Sequence, residues 1–237
     1  MRSHDSTAPK ALFEVAGRPF AYWQLEWLAS QGVDEVVYCI GHLGSMIIDA
    51  VGTGERWGMS VHYLQEDADA LLGTGGAVRH AVDSGTLGSS FFVLYGDSYL
   101  EVELRRVHER FERIGLQALM TVFQNDSHLD ASNVVLDGDL VGHYDKGLEH
   151  PPADMRYIDY GLTEVTAQSV EAAFAPGVTA DLAPYLSSLA RSGQLGAFVV
   201  TERFYEVGSP HGLADLEEHL SARREVRPPV EPDDRLT

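Results

Sequence analysis

From Ala21 to Gln31 apolar residues fall at helical spacing, with Ala21, Leu25 and Leu28 on one line, Tyr22 and Ala29 beside it, and Gly32 as a stop. The apolar run Glu35 to Ile40 predicts a strand, and a second strand is expected near Val61 to Gln65. A helix opened by Gly73, Gly75 and Gly76 follows, then the strand Phe91-Phe92-Val93-Leu94-Tyr95, which ends abruptly on Gly96 and Asp97. Leu104, Val107, His108 and Phe111 mark an amphipathic helix, and Ala118 to Phe123 a further strand. Alternation of this kind predicts an α/β fold with a mostly parallel sheet and helices on both faces.

After Asn125 the texture changes. Asn133 to Leu136 and Leu140 to Tyr144 flank Asp137-Gly138-Asp139, the pattern of a hairpin with a tight turn. Leu182 to Arg191 reads as a helix, Ala197 to Thr201 as a strand, and Leu213, Leu216 and Leu220 line a last helix. The charged, proline-rich stretch from Arg223 to Thr237 is expected to be a disordered tail. No internal repeat and no clean interdomain linker interrupt the chain, whose 237 residues suffice for one full core.

Composition narrows the function. Thirty-six acidic against seventeen basic side chains give a formal charge of −19, which repels a nucleic-acid backbone or an anionic bilayer. A phosphorylated small molecule stays compatible, because a divalent cation and a few Lys or Arg reverse the field locally. No apolar run approaches a membrane span, and Met1-Arg2-Ser3-His4-Asp5 lacks the core of a signal peptide, so a cytoplasmic location is expected. The single cysteine, Cys39, sits in an apolar run and is expected to be a buried, inert thiol.

Several residues could carry chemistry, each with a plainer alternative. In open α/β sheets ligands gather beyond the carboxyl ends of strands, so Asp97 is a candidate metal ligand, or a loop aspartate that caps the next segment. Lys10, fixed behind Pro9, could meet a phosphate or simply be solvated. Gln65 with Gly73-Thr74-Gly75-Gly76 could offer free helix-start N–H groups to an anion or a base edge, or form a flexible turn. Asp145-Lys146 suits a sugar hydroxyl beside its phosphate, or a surface ion pair. Asp159, set among Tyr157, Ile158, Tyr160 and Gly161, needs a partner, since an unpaired charge there is costly. Glu206, at a strand end before a helix, is a second candidate metal ligand, and two such carboxylates suit Mg²⁺ bound jointly with substrate phosphates and waters.

In this order the pieces resemble the sugar-1-phosphate nucleotidyltransferases from about Arg2 to Leu220. The nearest likeness is to the heptose-1-phosphate guanylyltransferase branch, through Tyr157-Ile158-Asp159-Tyr160-Gly161-Leu162 and Arg203-Phe204-Tyr205-Glu206-Val207-Gly208-Ser209-Pro210. The resemblance implies a Rossmann-like, GT-A-like fold in a single domain over residues 1–222, with a nucleotide-binding part to about residue 125 and a sugar-binding part beyond it. It implies that Lys10 and Lys146 contact phosphates and that Gln65 and the Gly73-Thr74-Gly75-Gly76 segment contact the nucleotide. It also implies that Asp97 and Glu206 hold Mg²⁺, and that Asn133, Asp145, Asp159 and Gly161 face the sugar. Many relatives carry aspartate at the position of Glu206.

The family opens with a strand leading into a Gly-Gly-x-Gly-Thr-Arg-type loop that wraps a triphosphate, and Met1-Arg2 looks like the tail of that loop, with Arg2 as its arginine. The expectation is a truncated chain that grips a triphosphate poorly and tends to aggregate. The implied reaction is Mg²⁺-dependent transfer of a nucleotidyl group, GTP favoured, to a heptose or related sugar 1-phosphate. Pyrimidine nucleotides with another sugar phosphate, or a non-catalytic nucleotide-sugar binding protein, are the alternatives, and self-association is left open. A metal-dependent glycosyltransferase fits less well, since Gly96-Asp97-Ser98 replaces the Asp-x-Asp pair of such enzymes.

Overall fold

The computed structural model describes residues 7–68, 70–125 and 129–226. A 3₁₀ turn at Lys10–Leu12 leads into the small ribbon β1 (Glu14–Val15) and β2 (Arg18–Pro19), then α1 (Phe20–Ser30), β3 (Glu35–Ile40), α2 (Gly44–Val51) and β4 (Ser60–Gln65). Next come α3 (Gly73–Asp83), β5 (Ser90–Leu94), β6 (Ser98–Tyr99), α4 (Leu104–Ile114) and β7 (Ala118–Gln124). The later part comprises β8 (Val134–Asp137), β9 (Leu140–Tyr144), β10 (Tyr157–Thr166), α5 (Ala167–Ala173), α6 (Leu182–Arg191), β11 (Leu195–Val200), β12 (Tyr205–Glu206) and α7 (Pro210–Val226).

The sheet corrects the sequence expectation. The larger sheet has the order β5-β10-β7-β11-β9-β8 and is mixed: β7 and β11 pair in parallel, while every other pairing in it is antiparallel. A further pairing of β8 with β10 through Val134 and Tyr157 closes five of the six strands into a ring. The cause is β10, which inserts antiparallel between β5 and β7 and is buried at every position except its two ends. A strand covered on both faces loses the two-residue alternation that marks it, and Asp159, Thr163 and Glu164 break the apolar run as well. The parallel pairing expected at the start of the chain is found between β3 and β4, which stand as a separate two-stranded sheet.

Helices cover both faces. Leu104, Val107 and Phe111 of α4 pack with Phe20 and Trp27 of α1 and Leu216 and Leu220 of α7 against one side. Val78 of α3 and Leu182, Leu186 and Leu189 of α6 pack against the other. The predicted hairpin is present, β8 and β9 joined across Gly138, whose φ of 58° is a conformation glycine adopts without strain. The last helix runs on to Val226, so Arg223 to Val226 are helical where a tail was expected; the rest of that tail, 227–237, lies outside the described residues. Among the described residues no helix is long and apolar enough to cross a membrane.

Candidate active site

The apolar run of β5 delivers the chain to Tyr95-Gly96-Asp97, after which β6 pairs antiparallel with β12, setting Glu206 opposite Ser98. Val207 N–H donates to Asp97 C=O at 3.0 Å. Two residues more than a hundred positions apart are thereby brought side by side. Lys10 joins them from the 3₁₀ turn, its Nζ 3.0 Å from Asp97 Oδ2. Glu206 accepts the Gly208 N–H through Oε2 and the Ser209 hydroxyl through Oε1 at 2.6 Å. A methyl group placed on Gly208 would lie 2.5 Å from Glu206 Oε2, 3.1 Å from Lys10 Nζ and 3.5 Å from Asp97 Oδ2, so all three charges converge on one small space. Among the described residues no group of three or more His, Cys, Asp or Glu side chains could hold a metal ion. An ion at Asp97 and Glu206 would therefore need ligands from substrate or water, the pattern usual for Mg²⁺.

A second cluster adjoins the first through Tyr95. Asp159 is buried on β10, and its Oδ2 accepts the Tyr144 hydroxyl at 3.0 Å and the Tyr95 hydroxyl at 3.4 Å, while Oδ1 accepts Gly161 N–H at 3.0 Å. Asn133 Oδ1 accepts the Asp159 N–H at 2.8 Å, tying the hairpin to β10. Lys146 Nζ stands 3.7 Å from Asp159 Oδ2 and 4.4 Å from the centre of the Tyr95 ring. Burial first, and the Asp159 charge second, push both tyrosine hydroxyls well above their ordinary range, so they remain protonated donors. Gly161, with φ at 93°, forms the bulge where the register of β10 shifts against β7; a side chain there would also meet Ser98 Oγ at 2.9 Å. Asp145 accepts Gly147 N–H at 2.8 Å and its own N–H donates to Asn133 C=O at 3.0 Å.

The glycine segment packs against the stretch that leads into α6. Gly75 and Gly76 N–H groups both donate to Ala180 C=O, at 2.8 and 3.1 Å, and the Thr74 hydroxyl accepts Leu182 N–H at 2.8 Å. Side chains at Gly75 and Gly76 would collide with Phe174 and with Val178 C=O, each within 2.7 Å. These two glycines serve close packing of α3 on the segment before α6, and their N–H groups are not free for an anion. Gln65 lies exposed at the end of β4, and Gly73 opens α3 with φ at 70°. Arg2 lies outside the described residues.

Residues 5–133, more than half of the sequence, match the family model described as nucleotidyl transferase. The chain belongs to that family. It is 35% identical over 103 residues to N-acetylmuramate alpha-1-phosphate uridylyltransferase of Neisseria meningitidis, a match covering 44% of either chain. It is 32% identical over 110 residues to D-glycero-alpha-D-manno-heptose 1-phosphate guanylyltransferase of Aneurinibacillus thermoaerophilus, covering 46% of each. The matched stretch thus spans just under half the length of either relative. The fold is shared with HddC from Yersinia pseudotuberculosis complexed with GMP-PN, at a TM-score of 0.77 and 22% identity over 93% of both chains.

Against the sequence reading, this family member gathers Lys10, Asp97 and Glu206 at one point and Lys146, Asn133, Asp159 and Gly161 at another, with Asp145 beside the second. Three residues went unnoticed as site elements: Tyr95, Tyr144 and Gly208. Tyr95 and Tyr144 could have been found from the demand that a buried Asp159 be partnered, since each ends a predicted strand near a candidate residue. Gly208 carried no signal of its own. Cys39, expected to be buried, is exposed, and protein packed around its thiol raises that group's pKa to about 11.

Proposed function

We propose that the chain transfers a guanylyl group from GTP to a heptose 1-phosphate, releasing pyrophosphate and forming a nucleotide-activated sugar in the cytoplasm. The observation that carries the reading is the convergence of Lys10, Asp97 and Glu206 beside the buried Asp159 and its Lys146. One group presents the charges a metal-bound triphosphate needs; the other presents a cation over a carboxylate and two hydroxyls. The likeness to the heptose 1-phosphate guanylyltransferase, together with the residues around Asp159 and Glu206, favours a heptose.

In this reading a phosphate oxygen of the sugar 1-phosphate attacks the α-phosphorus of GTP in line, and the bond to the pyrophosphate leaving group breaks. Asp97 and Glu206 would hold Mg²⁺, and the donor set fits, two carboxylates aimed at a space that a single methyl group would fill. Bound there, Mg²⁺ neutralises charge on the phosphates. Lys10, now beside Asp97, would contact a phosphate oxygen of the nucleotide, and Arg2 would contribute a second cation to the triphosphate. Lys146 holds the sugar phosphate, Asp159 fixes Lys146 and the tyrosine hydroxyls, and Asn133, Asp145 and Gly161 shape the sugar side. Gln65 with Gly73 and Thr74 contacts the base, while Gly75 and Gly76 keep α3 close enough for that contact. Catalysis comes from positioning and electrostatics.

A uridylyl transfer is the second reading, favoured by the likeness to the N-acetylmuramate enzyme. Pyrophosphate release measured across GTP, UTP, CTP and dTTP, each with a heptose, a hexose and an N-acetylated sugar 1-phosphate, decides between them. Turnover restricted to GTP and the heptose supports the first reading, and turnover restricted to UTP replaces it with the second. No turnover in any pairing, with nucleotide still bound, would support a non-catalytic binding protein instead.

A further inference from the structure

Helix α1 buries Phe20, Ala21, Gln24, Leu25 and Trp27, and Gln24 alone among them is polar. A buried amide without partners costs free energy, so the bonds it makes show why it stands there. Gln24 Nε2 donates to Ser98 C=O at 2.7 Å and to Tyr95 C=O at 3.4 Å. Those carbonyls belong to the first and last residues of one tight turn, Tyr95-Gly96-Asp97-Ser98, closed by Ser98 N–H donating to Tyr95 C=O at 3.2 Å. Asp97 stands inside that turn. The turn is also where the two clusters of the candidate site meet. Ser98 pairs with Glu206 across β6 and β12, and Val207 N–H donates to Asp97 C=O. Tyr95 N–H donates to Gly161 C=O at 3.1 Å, while its hydroxyl reaches Asp159 and its ring faces Lys146. The helix behind Gln24 is a firm support: Phe20 packs in one core cluster with α4 and α7, and Ala21 and Leu25 pack in another with Ala11 of the turn that carries Lys10.

We infer that Gln24 is a positioning residue for the reaction: from α1 it holds both ends of the 95–98 turn, and so sets Asp97 against Glu206 and Lys10, and that cluster against the one around Asp159. The inference rests on the reading of Asp97 and Glu206 as metal ligands. The Asp97 side chain is partly exposed, so its place depends on the backbone beneath it more than on packing around it. Both acceptors are carbonyls, so the residue facing them must offer two hydrogens from one atom. An amide nitrogen does so; a methionine of similar length offers none, and a protonated carboxyl offers one. A side chain on a helix packed into two cores holds its partners more closely than one on a loop, which suits a catalytic turn.

The test compares the wild type with Gln24→Met and Gln24→Glu. Amide hydrogen exchange is followed by NMR at Tyr95, Ser98 and Val207, together with kcat and the Mg²⁺ concentration that gives half-maximal pyrophosphate release. Gln24→Met is expected to exchange about tenfold faster at these amides, the scale of one lost hydrogen bond. It should also need about tenfold more Mg²⁺ and lose about 10–100-fold in kcat, the scale of a small misplacement of a catalytic group. Measured against the wild type at the same pH, Gln24→Glu should recover near about pH 6, where burial keeps its carboxyl protonated, and match Gln24→Met near about pH 9. A residue that merely fills space would lower the melting temperature and leave the Mg²⁺ requirement and the pH dependence as in the wild type. Unchanged exchange in Gln24→Met, or a loss of kcat with an unchanged Mg²⁺ requirement, overturns the inference. If the wild type itself shows no Mg²⁺-dependent turnover, the nucleotidyl reading fails and the exchange rates alone decide whether Gln24 holds the turn. If Gln24→Met does not fold, the pH comparison of Gln24→Glu decides, and loss of the fold in both variants overturns the inference.

Discussion

Replacing Asp97 with Asn should separate catalysis from folding. Asp97 pairs with Lys10 at 3.0 Å, and the two side chains are 39% and 50% exposed, so water and salt screen the pair. Pairs of this kind are worth about 0.2–1 kcal/mol, and removing one charge also relieves repulsion from Glu206 close by. For a domain of this size that corresponds to a fall in Tm of at most about 4 °C. If Asp97 holds the metal that neutralises the phosphates, its loss resembles removal of a charge-stabilising group, about 10²–10³ in kcat or roughly 2.7–4 kcal/mol. The catalytic effect should therefore exceed the folding effect several-fold. Thermal melts by circular dichroism and coupled pyrophosphate release measure the two sides on the same samples. A variant that melts more than about 10 °C lower, or one that turns over at the normal rate, would refute the reasoning.

Four further outcomes are expected. Lys146→Ala should raise the KM for the sugar phosphate about ten- to a hundredfold, from losing a charge-assisted contact of roughly 1.5–3 kcal/mol, with a smaller effect on the nucleotide KM; an effect confined to the nucleotide would move Lys146 to the other substrate. Tyr144→Phe leaves buried Asp159 one donor short and should cost about 1–3 kcal/mol in urea unfolding; an unchanged midpoint would mean that the hydroxyl is dispensable. Gly208→Ala should fold normally, because the atoms its methyl meets are the ends of flexible side chains, yet lose activity as Glu206 and Lys10 are displaced; full activity would show that the space between them is unused. His108 Nδ1 lies 2.7 Å from Glu164 Oε1, and both groups have raised pKa values, His108 chiefly through this hydrogen bond and Glu164 chiefly through burial. Each binds its proton more tightly in the folded chain, so their stabilisation is greatest in acid and is lost as pH rises from the ordinary carboxylate range past the ordinary histidine value. Urea midpoints compared between the wild type and His108→Gln should therefore diverge at pH 5.5 and converge at pH 8, and a constant difference would sink the linkage.

Much of this was legible in the chain because local physics decides it. The helix Phe20–Ser30 follows from three-and-four spacing and a glycine stop, the hairpin across Gly138 from its turn residues, and Asp97 from its place after an apolar run. What was illegible depends on contacts distant in sequence. β10 carries Asp159, Thr163 and Glu164 in its interior, residues that argue against a buried strand until Tyr144 and Tyr95 supply partners for Asp159 and His108 one for Glu164. Its antiparallel insertion cannot be read from β5 and β7, since runs buried on both faces look alike in either orientation. Gly75 and Gly76 invite a phosphate reading from sequence alone, and only the approach of Ala180 shows that packing requires them. Cys39 looked buried because its neighbours are apolar, but it lines an open cavity between β3 and β5.

The central claim, Mg²⁺-dependent nucleotidyl transfer at the Lys10, Asp97 and Glu206 cluster, is tested most directly by counting pyrophosphate and nucleotide-sugar from GTP and heptose 1-phosphate. The reaction is run with the wild-type protein and its Asp97→Asn form, in Mg²⁺ and in chelator. The account predicts equal amounts of the two products from the wild type in Mg²⁺, none in chelator, and little from the Asp97→Asn form. Product formed equally well in chelator, or none from the wild type with any nucleotide and sugar phosphate, would contradict it.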